Sequence, residues 1–176
     1  MINFASFFNE LAPHFTLRTI QWLWEFALLS YPGNVQGPHG PLHWFRVIQL
    51  GLYLSKQTGA DARTVYLFGI FHDMKRSNDN HDPFHGARSI KTLLKEVDLK
   101  KIGLLSAHIE LLFDAIRFHS MGTIHSDITI ATCWDADRLD LIRFSKEIES
   151  DYLSLSFSKS KQTLAYAKQL FSQHKI

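Results

Sequence analysis

The stretch Asp61-Ala-Arg-Thr-Val-Tyr-Leu-Phe-Gly-Ile-Phe-His-Asp-Met74 decides how this chain folds. Asp61 can cap a helix, and Val65, Leu67, Phe68, Ile70 and Phe71 make that helix apolar nearly all round. A helix with no polar face belongs in the middle of a bundle. It ends near His72-Asp73, which offers an imidazole nitrogen and a carboxylate oxygen. Neighbours on a helix point about 100° apart, so both reach one ion only if it lies between their directions. An acid at the end of a buried helix needs a partner.

Working outward, the pattern remains helical. Upstream, residues 3–11 and 15–30 read as two helices parted at Pro13, the second carrying Leu17, Ile20, Leu23, Trp24 and Leu28 at helical spacing. Residues 31–41 hold three prolines and three glycines and form a loop. A helix from about Leu42 to Thr58 stops at Gly59. Downstream, Arg76 to Pro83 is turn-like, and Pro83 suits the opening of a helix bearing His85, Ile90, Leu93 and Leu94. Another helix runs from near Ser106 to His119, and Asp127 can cap one through Ile142. A last amphipathic helix covers roughly Lys159 to Gln173. With no convincing strand, repeat or linker, the expectation is one all-α domain over 1–176.

Composition narrows the function classes. With 45% hydrophobic and 20% charged residues, the 176-residue chain is of globular and not disordered type. A net charge of +2 without a basic run gives no reason to expect nucleic acid. Glu25 interrupts the best apolar run, so no membrane span is expected, and the N-terminus lacks the basic region of a secretory signal. Cys133 is the only cysteine, so no internal disulfide can form. It reads as a buried, inert thiol. The expected compartment is the cytoplasm. No Gly-rich phosphate loop, Gly-x-Ser-x-Gly elbow or Cys-x-x-Cys pair is present.

The chemistry rests on histidine and aspartate. His43 shares a helix face with Arg46, which would bring a guanidinium near any ion on His43. In Asp135-Ala-Asp-Arg-Leu-Asp140, Asp137 and Asp140 share a face and Asp135 points away. One of these acids can bind metal while another orients a ligand imidazole. His85 and His119, at the edges of their helices, are candidates for a second ion. His14, His39, His81, His108, His125 and His174 have no comparable setting and read as surface residues. The set suits Mn, Fe, Co, Ni or Zn, with Mg possible.

The ordered series His43, His72-Asp73, Asp137 resembles the HD-domain superfamily of metal-dependent phosphohydrolases. His43 lies in the family's His-x-x-Arg-Val context, and Asp137 is the second acid of an Asp-Ala-Asp-Arg-Leu segment, with Asp135 as a possible substitute. The match spans roughly 38–142, leaving 1–30 and 150–176 as additional packing helices. It is similar, more narrowly, to small stand-alone bacterial HD proteins. His119 is followed by Ser-Met-Gly, not the Gly-Tyr-Pro of cyclic-di-GMP phosphodiesterases. Met74-Lys replaces the Glu-Asp of guanosine-tetraphosphate hydrolases. The resemblance implies a helical bundle with the metal pocket between its central helices. His43, His72, Asp73 and Asp137 would be ligands, with His85 and His119 for a second ion. It implies hydrolysis of a phosphomonoester or phosphodiester of a nucleotide or similar small metabolite. Asp73, Arg76 and Arg46 would be catalytic, and Lys75, Arg76 and Arg88 would bind substrate phosphate. A di-iron oxygenase and a non-catalytic metal or nucleotide sensor are the alternatives, and the oligomeric state is open.

Overall fold

The computed structural model describes residues 11, 14–144 and 148–174. Among these, seven α-helices and two short 3-10 segments form, and no strand. The α-helices are α1 (Leu17–Ser30), α2 (Pro41–Thr58), α3 (Ala62–Phe71), α4 (His85–Glu96), α5 (Ser106–Phe118), α6 (Ile128–Leu139) and α7 (Lys161–Gln173). The 3-10 segments are Asp140–Phe144 and Ser150–Tyr152. The helix expected over 3–11 lies, apart from Leu11, outside the described residues.

Local chemistry sets most of the ends. Asp61 Oδ1 accepts the Thr64 N–H at 2.9 Å, and Asp127 Oδ1 accepts those of Thr129 and Ile130 at 2.9 and 3.0 Å. Pro41 opens α2, and Gly59, in the left-handed region at φ 77°, closes it. Several boundaries differ from expectation. Helix α3 ends at Phe71, so His72 and Asp73 sit in the turn that follows it. Helix α7 starts at Lys161 because Ser160 Oγ takes the Thr163 N–H at 3.1 Å. Helix α6 stops at Leu139 and tightens into 3-10 winding through Phe144, where an α-helix through Ile142 was expected.

The short turn at 59–61 folds α3 back along α2, placing the first turn of α2 beside the end of α3. The two helices touch closely: a Cβ on Gly69 would lie 2.4 Å from Ile48 Cγ1. Every residue from Thr64 to Phe71 is buried. Burying five large apolar side chains there contributes on the order of 10 kcal/mol. That is enough to hold a charged group in place at the helix end, at a desolvation cost of several kcal/mol. Helix α2 also packs on α6, and α5 packs on both α3 and α4. As a result the start of α2, the end of α3, the start of α4, the end of α5 and the last turn of α6 meet at one end of the bundle.

Candidate metal centre

Each of these five termini contributes side chains. His43 Nε2 lies 3.1 Å from His72 Nε2 and 3.2 Å from Asp137 Oδ1. His72 Nε2 lies 3.7 Å from the same Asp137 oxygen, and Asp73 Oδ2 is 3.6 Å from both imidazole nitrogens. On the other side of Asp73, Oδ1 lies 3.0 Å from His85 Nε2 and 3.6 Å from His119 Nε2. Those two nitrogens are 2.8 Å apart. Two clusters of ligand atoms therefore share one carboxylate, with an oxygen of Asp73 facing each. The pairing of His85 with His119 depends on close contact between α4 and α5, since a Cβ on Gly86 would come within 2.3 Å of the Ile116 carbonyl oxygen.

The protons on these rings are set from behind. His72 Nδ1 faces the carbonyls of Phe68 and Gly69, both at 3.1 Å, and His119 Nδ1 faces that of Ile116 at 2.8 Å. His85 Nδ1 faces the carbonyl of Asp82. A carbonyl only accepts, so each Nδ1 carries a hydrogen, and each ring turns its Nε2 inward, as a lone pair wherever the ring is neutral. His43 does the same through Nδ1 and Asp140 Oδ2 at 2.8 Å. Lone pairs facing each other at these distances need a shared proton or a cation between them. Asp73 Oδ1 is buried and has no hydrogen-bond partner among the described residues although nitrogens surround it. Several imidazoles and two carboxylates converging in this way fit a divalent transition metal. The C-terminal ends of α3 and α5, which carry His72 and His119, add a negative dipole that favours cations there.

Charge follows the same logic. Burial holds the His72 ring near pKa 3, against the pull of Asp73 and Asp137, so it is neutral at physiological pH. Burial opposes protonation of His43 too, but its bonds to Asp137 and Asp140 outweigh this and raise its pKa. His119 is likewise raised, because Asp73 and Asp137 overcome its burial. For Asp73, burial opposes ionisation, and the imidazoles around it, His72 first, hold it well below the ordinary carboxylate range. In the metal-free protein His43 and His119 thus retain protons that an incoming ion must displace. Metal affinity is expected to rise with pH until these raised imidazoles lose their protons, with proton release on binding. Calorimetry in buffers of different ionisation enthalpy measures this; affinity independent of pH would contradict it.

A second outcome follows from the shared carboxylate. Wild-type protein is expected to take up two ions per chain, and His85→Ala/His119→Ala only one. If saturated wild type holds one ion and the double variant keeps it, the cluster around Asp73 Oδ1 binds no metal.

The remaining candidates fall into different places. Asp140, read as a possible orienting acid, accepts His43 Nδ1 and is held by Arg46 at 2.6 and 3.0 Å and by Arg143 at 2.9 Å. Asp135 faces the other way and accepts the Ser154 and Leu155 N–H groups at 2.7 and 2.9 Å, which removes it as an alternative ligand. Arg46, expected near phosphate, is fully buried, and Nη1 donates to the His174 carbonyl at 2.9 Å. It therefore holds Asp140, which in turn holds His43, and it is not among the residues lining the cavity over the clusters. Lys75 donates to the Ser30 carbonyl at 2.7 Å, and Arg88 holds Asp82 and the Lys75 carbonyl. Both are occupied in bracing the loop and lie off the cavity wall, contrary to the expected phosphate role.

His39 was read as a surface residue and belongs to the site instead. Its Nδ1 lies 2.9 Å from Asp73 Oδ2, and the Trp44 indole holds its carbonyl at 2.9 Å. No periodicity operates in the Pro- and Gly-rich loop that carries it, so only its fourfold spacing before His43 could have flagged it. Arg143 also went unread. Cys133 is buried, and burial pushes its thiol well above the ordinary range.

Above the clusters opens a cavity of about 500 Å³, with Asp73, His119 and Asp137 in its floor and Arg76 and Arg143 in its wall. A neighbouring hollow of about 360 Å³ shares Arg76, Ser120 and Met121. No described helix is long and apolar enough to cross a membrane.

No protein-family model matches the sequence, and no curated protein does. The structure is similar to the crystal structure of a predicted HD superfamily hydrolase from an uncultured Thermotogales bacterium, with a TM-score of 0.61. The alignment covers 94% of this chain and 91% of that one at 20% identity. The chain has the HD-domain fold.

Proposed function

We propose that the protein is a metal-dependent phosphohydrolase acting on a phosphomonoester or phosphodiester of a nucleotide or similar small metabolite. The observation that carries this reading is the pair of ligand clusters joined by Asp73 beneath a cavity walled by guanidinium groups. Divalent ions in such clusters supply Lewis acidity and a water acidified towards neutrality. The protein's own groups do the rest. Asp73, kept ionised, is the base closest to both clusters. Arg76, whose Nη1 lies 3.7 Å from Asp73 Oδ1, supplies positive charge where phosphate oxygens would sit. Its Nε and Nη2 donate to the carbonyls of Asn78 and Asn80 at 3.1 and 2.8 Å, which fixes the guanidinium before any substrate arrives. Met121, Leu141 and Tyr152 are exposed around the cavity and offer apolar contact to the organic part of a substrate. We place the protein in the cytoplasm, with a small phosphorylated compound as its partner.

The test is elemental analysis combined with a panel of phosphatase and phosphodiesterase substrates, run with Mn, Co, Ni and Mg. Phosphate release that depends on the added ion is the expected result. Metal uptake without turnover on any substrate would favour a sensor. An iron charge-transfer band in protein purified without oxygen would favour dioxygen chemistry.

A further inference from the structure

Three guanidinium groups border the cavity, and they are engaged very differently. Arg138 is spent on the carbonyls of Gly122, Thr123 and Tyr152. Arg76 is braced by two loop carbonyls. Among the described residues Arg143 makes one hydrogen bond, Nη1 to Asp140 Oδ2 at 2.9 Å, and its guanidinium carbon lies 4.4 Å from the centre of the Phe144 ring. Its Nε is buried and has no hydrogen-bond partner among the described residues, although the side chain is only 5% exposed. A buried N–H of a charged group left unpaired is costly, and its position calls for an acceptor.

Asp140 does not explain the second arginine. Arg46 already grips both of its oxygens, at 2.6 and 3.0 Å, and by itself balances the carboxylate. The charge on Arg143 is therefore surplus to the fold and lies on the cavity wall. Around the site four guanidinium groups, Arg46, Arg76, Arg138 and Arg143, stand against the three carboxylates Asp73, Asp137 and Asp140, so positive charge is in excess and any bound ion adds to it until an anion enters. A doubly charged terminal phosphate offsets more of that positive charge than the single charge of a diester, whether one ion is bound or two.

We infer that Arg143 binds the substrate's phosphoryl group, and that the cavity selects a terminal, dianionic phosphate. This rests on the proposed function and narrows it to phosphomonoesters. The fork of Arg143 directs one nitrogen to Asp140, which fixes the plane of the guanidinium, and leaves Nε for a phosphoryl oxygen.

The experiment is calorimetric titration of metal-loaded protein with inorganic phosphate and, separately, with dimethyl phosphate, alongside measured metal content. Wild type is expected to bind inorganic phosphate more tightly than dimethyl phosphate. Arg143→Gln should weaken phosphate binding roughly 10- to 100-fold with unchanged metal content, and Arg143→Lys should recover part of the loss. Equal phosphate affinity in wild type and Arg143→Gln overturns the assignment. So does loss of metal in Arg143→Gln, which would mean that the residue acts through Asp140 and His43. Dimethyl phosphate binding as tightly as phosphate overturns the preference for a dianion. If loaded wild type binds neither anion, the phosphohydrolase reading itself fails, and Arg143 loses its role with it.

Discussion

Asp73→Asn protein is expected to purify folded and without bound metal. Asp73 is the residue whose two oxygens face both ligand clusters, so one isosteric change removes the negative charge that both share and replaces one of the two oxygen donors by a non-ligating NH2. The affinity loss should exceed the roughly 10- to 100-fold that follows loss of an outer hydrogen-bond partner. His72→Ala and Asp137→Ala should also lose metal, while His85→Ala should retain the ion held by His43, His72 and Asp137. Helicity should persist in all of them, because the buried face of α3 is untouched. Elemental analysis and circular dichroism decide the matter. Stoichiometric metal in Asp73→Asn would refute the shared-carboxylate arrangement.

Arg46→Ala is expected to damage stability first and catalysis only through the metal. The guanidinium is fully buried, and its removal strands the Asp140 carboxylate, itself 2% exposed, with Arg143 as its remaining charged partner. Breaking a buried ion pair by deleting one member costs about 3–5 kcal/mol. For a domain of this size that lowers Tm by roughly 6–20 °C. Metal affinity should fall as well, since Asp140 no longer orients His43 Nδ1. If Tm shifts by less than about 2 °C while KM for a phosphate substrate rises, Arg46 contacts substrate and the positioning role is wrong.

Arg46 shows what helical spacing leaves open. Three-residue spacing correctly placed Arg46 on the face of His43, but spacing cannot tell whether a guanidinium reaches a cavity or a buried carboxylate. That depends on Asp140, 94 residues further on, and on the turn that carries His174. Lys75 and Arg88 mislead for the same reason. Each is a cation close in sequence to His72-Asp73 or His85, and each is drawn by tertiary packing to a backbone carbonyl instead.

What the sequence determined by itself was local and periodic. The apolar circumference of 65–71 made α3 central, Asp61 and Asp127 marked helix starts, and Gly59 marked an end, because capping and burial act within a few residues. The all-α class and the ordered His and Asp series were legible on the same grounds. Tertiary structure alone decided how those residues meet. It joined the clusters through Asp73 and turned Asp135 away. It brought His39 in from a loop without periodicity and left Arg143 on the cavity wall with an Nε unpaired among the described residues. Convergence of five helix termini is set by how the helices pack against one another, and spacing within any one of them carries no record of it.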